Sequence, residues 1–106
     1  MLDTLPLPCC IINSNYECID CNNAAVKLYE LNDKNEFITS FSKLLPEYQP
    51  DGRLSYVVAR EKIDKVFAGE SFTGEWTHQL LNGRQKLTID TFVRVNYQDT
   101  YTVMIY

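Results

Sequence analysis

Phe72-Thr73-Gly74-Glu75-Trp76-Thr77-His78-Gln79-Leu80-Leu81-Asn82-Gly83-Arg84-Gln85-Lys86-Leu87-Thr88-Ile89-Asp90-Thr91-Phe92-Val93 is two alternating stretches around an Asn-Gly pair, and its reading decides the fold. A two-residue type I′ turn needs positive φ at both central positions, and Asn82 and Gly83 accept that with least strain. Such a turn sets Leu81 opposite Arg84. Trp76 then faces Ile89, His78 faces Leu87, Gly74 faces Thr91 and Phe72 faces Val93, which gathers the apolar residues on one side. Thr77 with Thr88 and Gln79 with Lys86 make the other side, as expected for an antiparallel sheet with one wet face. Glu75 opposite Asp90 is a like-charge pair with a cost of about a few tenths of a kcal/mol. A slip by one residue would turn Trp76 and Ile89 outward, so the pattern argues for this register.

Downstream, Leu87, Ile89, Val93 and Val95 alternate with Thr88, Asp90, Arg94 and Asn96, while Phe92 breaks the alternation and suggests a contact surface. Val103-Met104-Ile105-Tyr106 is continuously apolar, the mark of a central strand covered on both faces or lying against a partner. Upstream, Tyr56 to Ala68 reads as the longest helix. Ser55 is its expected cap, Tyr56, Ala59, Ile63, Val66 and Phe67 its apolar stripe, Glu61 and Lys65 an outer pair, and Gly69 its left-handed stop. That stripe fits the sheet face carrying Trp76, Ile89 and Val93.

Pro46-Glu47-Tyr48-Gln49-Pro50-Asp51-Gly52 reads as a loop, with Pro50 and Gly52 placed for a type I turn from Gln49 to Gly52. Before it, a short helix carries Phe37, Phe41 and Leu44 after Asn32-Asp33, and another runs from Asn23 to about Leu31 with Asn22 as its cap. Cys9–Asn13 and Tyr16–Asp20 form a first hairpin around Asn13-Ser14-Asn15, and Pro6 and Pro8 keep the lead-in extended.

The 106 residues suffice for a single domain with a core of its own. A hydrophobic fraction of 45% argues against disorder. A formal charge of -4 with scattered basic residues argues against general nucleic-acid binding, which rests on clustered Lys and Arg. No apolar run approaches the roughly 18–20 residues needed to cross a bilayer, and no signal peptide is visible, so the cytoplasm is the expected compartment. The four cysteines, Cys9, Cys10, Cys18 and Cys21, lie close together in sequence. Cys9 and Cys10 would point to opposite faces of a strand and cannot easily share one tetrahedral ion, so buried thiols are expected rather than a metal or a redox pair.

The order of elements is strand, strand, short helix, short helix, long helix and three strands. Together with Cys21-Asn22-Asn23-Ala24-Ala25, the Pro46–Gly52 loop and Ala68-Gly69-Glu70-Ser71-Phe72 leading into Glu75-Trp76, it resembles the PAS sensor domain family over nearly the whole chain. The Pro-Glu-Tyr-Gln-Pro-Asp-Gly loop is similar to that of a bacterial signalling branch. Two positions depart from the family: Asn13-Ser14-Asn15-Tyr16 stands for its usual Asp-x-x-Gly turn, and Leu31 stands where many members carry Gly. The resemblance implies an α+β fold, a five-stranded antiparallel sheet with the last strand central and the helices packed on one face. It also implies that residues 1–106 are one domain of a longer signalling protein. Such a domain senses a small ligand between helices and sheet, or dimerises, and passes the result to an output domain beyond Tyr106 such as a histidine kinase.

For a ligand pocket the candidates are Tyr29, Phe41, Tyr48, Tyr56, Ala59, Ile63, Trp76, His78, Ile89 and Val93, aromatic and apolar walls with a few convergent polar groups. For a dimer or linker surface they are Phe92, Met104 and Tyr106. His78, the single histidine, lies on a strand, whereas haem-binding members of the family supply their ligand from a helix or loop. The light-sensing branch's Asn-Cys-Arg-Phe signature does not occur, which argues against flavin. Catalysis lacks a phosphate cradle or an activated nucleophile. The alternative is a small cone-fold enzyme of the ketosteroid-isomerase type with His78 and Asp90 as acid and base. The opening hairpin speaks against it, and on the register above Asp90 points away from His78.

Overall fold

The computed structural model describes residues 2–106. A 3-10 turn over Leu2–Thr4 leads into β1 (Cys10–Ile12) and β2 (Cys18–Cys21), then α1 (Asn23–Leu28) and α2 (Lys34–Ser40). A second 3-10 turn, Phe41–Leu44, and the loop after it reach α3 (Ser55–Phe67), and β3 (Phe72–Gln79), β4 (Gln85–Tyr97) and β5 (Thr100–Ile105) complete the chain. The sheet order is β2-β1-β5-β4-β3, antiparallel throughout, with β5 in the centre as its unbroken apolar run implies.

The helices pack on one face of this sheet, around a core that includes Ile12, Cys21, Phe37, Ile63, Val66 and Val103. The opposite face has its own smaller cluster, where Leu2, Cys9 and Ile11 meet Val95, Tyr97 and Met104, so the N-terminal turn covers part of it. Asn22 joins the two layers. Its side-chain oxygen accepts from Cys9 N and Ala25 N at 3.0 Å each, and its amide donates to the Leu2 and Leu7 carbonyls at 3.2 and 2.6 Å. All four hydrogen-bonding positions of a fully buried amide are thereby used, and α1 is capped as expected. Asp33 caps α2 in the same way through Glu36 N.

The hairpin between β3 and β4 is where the structure corrects the sequence reading. Phe72 pairs with Phe92, Gly74 with Asp90, Trp76 with Thr88 and His78 with Lys86. The reason is the turn: Leu80 N donates to Arg84 O at 2.8 Å, Gly83 N to Leu80 O at 2.9 Å, and Gly83 sits at φ +90. This is a type I turn followed by a left-handed glycine, a three-residue connection, and the residue added to the loop moves the register by one. Every β4 side chain changes face. Thr88, Asp90 and Phe92 join Trp76 and His78 beneath the helices, while Leu87 and Ile89 turn to the outer face at 61% and 73% exposure. The expected Glu75–Asp90 repulsion disappears, since Glu75 now faces Ile89.

α3 also differs in detail. Its cap is Leu54 rather than Ser55, whose hydroxyl accepts instead from Gln49 Nε2 at 2.9 Å. Val58 replaces Tyr56 in the buried stripe beside Ile63 and Val66, and Glu61 pairs with Arg53 at 2.7 Å rather than with Lys65. The helix ends at Gly69, φ +108, as expected. α1 stops at Leu28, with Glu30 rather than Leu31 in the left-handed conformation. In the first hairpin Tyr16 takes φ 63, a left-handed conformation that glycine adopts with least strain. Its hydroxyl donates to Asp64 at 2.7 Å and the Arg60 guanidinium lies 4.6 Å from its ring centroid, contacts with α3 that offset the backbone strain.

Candidate functional site

Between the helices and the inner face of the sheet lies a cavity of about 330 Å³. Helical segments supply Ala25, Leu28, Phe37, Phe41, Leu44, Ala59 and Ile63 to its walls, and the C-cap of α1 supplies Tyr29. Strands supply Cys10, Trp76, His78, Thr88, Asp90, Phe92 and Ile105. The aromatic residues form a connected wall: Tyr29 and Phe37 have ring centroids 5.7 Å apart, Phe37 and Phe41 5.8 Å, and Tyr29 meets His78 edge-on at 5.1 Å. Phe92 meets Phe72 edge-on at 5.8 Å. Gly74 makes room for this pair, since a Cβ there would lie 2.9 Å from the Phe72 ring.

One wall is polar. His78 Nε2 lies 2.9 Å from Asp90 Oδ2, and Asp90 Oδ1 accepts from the Thr88 hydroxyl. A carboxyl group with a side chain only 9% exposed has to be bonded in this way, because an unpartnered one would be strongly disfavoured there. With a carboxylate on Nε2, the hydrogen they share occupies that side of the ring and Nδ1 is left for another partner. Burial pushes the Tyr29 phenol up, and the Asp90 charge adds to the shift, so Tyr29 presents a hydroxyl that both donates and accepts.

Of the residues singled out for a pocket, Tyr29, Phe41, Ala59, Ile63, Trp76 and His78 meet around this cavity. Ile89 borders it, but its side chain is turned to the outer face by the hairpin register. Val93 faces outward opposite Met104, for the same reason. Tyr48 and Tyr56 are exposed and lie away from the cavity, Tyr48 bridging to Leu54 at the base of the loop and Tyr56 beside Arg60. Phe92, expected on the outer side, is instead 2% exposed in the inner core. Met104 sits in the outer cluster and Tyr106 at the cavity rim. Asp90 does not point away from His78 but bonds to it. Sequence reasoning missed Thr88 and Asp90 as pocket residues. The misfit of Phe92 and the Glu75–Asp90 clash were the signals that the frame was off by one.

The cysteines divide between the faces. Cys9 belongs to the outer cluster, whereas Cys10, Cys18 and Cys21 belong to the inner core, with Cys10 paired across β1 and β2 to Cys21. All four are buried free thiols. Burial pushes the Cys21 thiol up to about 12 and raises Cys9, and a hydrogen bond with Cys18 together with burial raises Cys10. Those three stay protonated and act as small apolar side chains. Among the described residues no group of three or more His, Cys, Asp or Glu is arranged to hold a metal ion, and no helix is long and apolar enough to cross a membrane.

No family model matches the sequence, and no curated protein matches it. Solved structures do. The PAS domain of a protein from Colwellia psychrerythraea aligns over 98% of this chain and 86% of its own, with a TM-score of 0.71 at 15% identity. The PAS domain of nitrogen regulation protein NR(II) from Vibrio parahaemolyticus gives 0.71 at 18% identity, over 98% and 89% of the two chains. The PAS domain of a LuxR-family transcriptional regulator from Burkholderia thailandensis, in complex with ethanol, gives 0.70 at 14% identity, again over 98% and 89%. The chain has the PAS-like α+β fold, a five-stranded antiparallel sheet with its helices laid across one face.

Proposed function

We propose that residues 1–106 are one sensory domain of a longer bacterial signal-transduction protein. A small ligand seated between helices and sheet biases the sheet and the segment beyond Tyr106, and the signal passes to an output domain such as a histidine kinase. The observation that carries this reading is the cavity of about 330 Å³ with a single polar wall, built on a PAS-like scaffold. Nitrogen regulation protein NR(II) and the LuxR-family regulator, whose PAS domains are similar in structure, are regulatory proteins by name. The reading assigns the domain no catalysis, and it places it in the cytoplasm. A thermal-shift screen against a metabolite library tests it. A compound that raises Tm in the wild type and not in Ala59→Phe, where a ring is built into the cavity wall, is the expected result. A screen with no hit, or a hit indifferent to Ala59→Phe, overturns it.

A second reading is that the domain joins two chains through the outer face of its sheet. Leu87 and Ile89, 61% and 73% exposed on that face, favour it. Sedimentation equilibrium would show a concentration-dependent dimer that Ile89→Lys dissociates, and a monomer at every concentration would exclude it.

A further inference from the structure

The cavity's chemistry narrows its ligand. Its side walls are aliphatic and aromatic: Leu28, Phe37, Phe41, Ile63, Trp76 and Phe92. No Lys, Arg or Glu lines it, and its one carboxyl group, Asp90, is already bonded to His78 and Thr88. An anion would therefore enter an apolar space beside an existing carboxylate, and a cation would have to compete with His78 for it. Either costs far more than admitting a neutral molecule. Two neighbouring polar atoms beside the Asp90 wall are open. Neither the Tyr29 hydroxyl nor His78 Nδ1 makes a hydrogen bond within the protein among the described residues, whereas every occluded side-chain nitrogen or oxygen has a partner, so both atoms remain reachable. The two rings are neighbours, in edge contact at 5.1 Å.

We propose that the site takes small, neutral, largely apolar molecules bearing one hydroxyl group, the class of phenols and cyclic alcohols, with Tyr29 and His78 holding the hydroxyl. A hydroxyl is one donor and one acceptor on one atom, so it can donate to Nδ1 and accept from the phenol of Tyr29. The volume sits at the lower end of the roughly 300–1,000 Å³ usual for small-molecule sites, which suits a single ring. The inference rests on the cavity being a ligand site.

Isothermal titration with phenol, toluene, benzoate and benzylammonium at neutral pH tests it, because the four share a ring and differ in polar group and charge. Phenol is expected to bind at least about fivefold more tightly than toluene, the equivalent of one net hydrogen bond, with benzoate and benzylammonium weaker still. Tyr29→Phe keeps the ring and is expected to lower phenol affinity by about fivefold while leaving toluene unchanged. Toluene matching phenol, or benzoate or benzylammonium exceeding it, overturns the ligand class while leaving the cavity a ligand site. Failure of all four alongside a library hit of another chemistry does the same. Failure of all four with no library hit overturns both readings. If Tyr29→Phe does not fold, the wild-type ranking decides alone.

Discussion

The turns at Gln49–Arg53 and Leu80–Arg84 have one backbone between them and hold different things. In the first, Gln49 N donates to Arg53 O and Gly52 N to Gln49 O, both at 2.9 Å, with Gly52 at φ +87. In the second the equivalent bonds join Leu80 with Arg84 and Gly83 with Leu80, with Gly83 at φ +90. Even the side-chain brace recurs, from Asp51 Oδ1 to Arg53 N and from Asn82 Oδ1 to Arg84 N. The first turn presents Gln49, which is buried and whose amide accepts from Thr77 N at 3.1 Å and donates to Thr77 O at 2.9 Å. The second presents Leu80, an apolar side chain 3% exposed in the inner core, and its length sets which half of β4 faces the cavity. Both turns bury the side chain at their start, the first a hydrogen-bonding amide and the second an apolar group, and only the second also fixes a strand register through the number of residues it contains.

The difference can be sharpened by mutation. Phe92→Ala is expected to cost about 3–5 kcal/mol in urea unfolding, and Ile89→Ala within about 0.5 kcal/mol of nothing. The reverse ranking would mean that the second turn does not set this frame. Gln49→Leu leaves the backbone N–H and C=O of buried Thr77 without a partner and is expected to cost about 1–3 kcal/mol. A neutral result would reduce the first turn to a plain connection. Gly52→Ala and Gly83→Ala should each cost about 1–2 kcal/mol, and by similar amounts, because a Cβ meets nothing within 4 Å at either site and only positive φ opposes it. Unequal costs would break the backbone equivalence. The smallest effect is reserved for deletion of exposed Leu81. Leu80 can stay opposite Arg84 across Asn82-Gly83 as a two-residue turn, so stability should change by less than about 0.5 kcal/mol. A large loss would show that the bulged loop itself is required.

These two turns also mark how far the sequence could be read. Pro50 locks φ negative, so a type I′ turn was impossible at Gln49–Gly52, and Asp51 rather than Gly at the third position favoured type I over type II. Leu81 imposes no such limit, and Asn82-Gly83 suits a two-residue type I′ turn as well as a three-residue bulged one. The element order, the central β5 and the cap at Asn22 were legible because each rests on a local pattern: a continuous apolar run, a capping side chain, a period of two. The polar wall was not, because Thr88 and Asp90 enter it only through a frame that the turn decides. Ser55 failed as a cap for a different reason: a residue distant in the fold's logic, Gln49, claims its hydroxyl. Tyr16 holds a glycine's conformation through contacts with α3, which no local pattern announces.

β3 is the last strand of the sheet, so one row of its backbone groups has no neighbouring strand. Such a row is a template for strand addition by another chain. At Thr77 the amide of Gln49 already occupies that template, offering an acceptor and a donor as a passing peptide group would. The loop that carries it therefore shields the border of the sheet from β-augmentation and from edge-to-edge aggregation at this point.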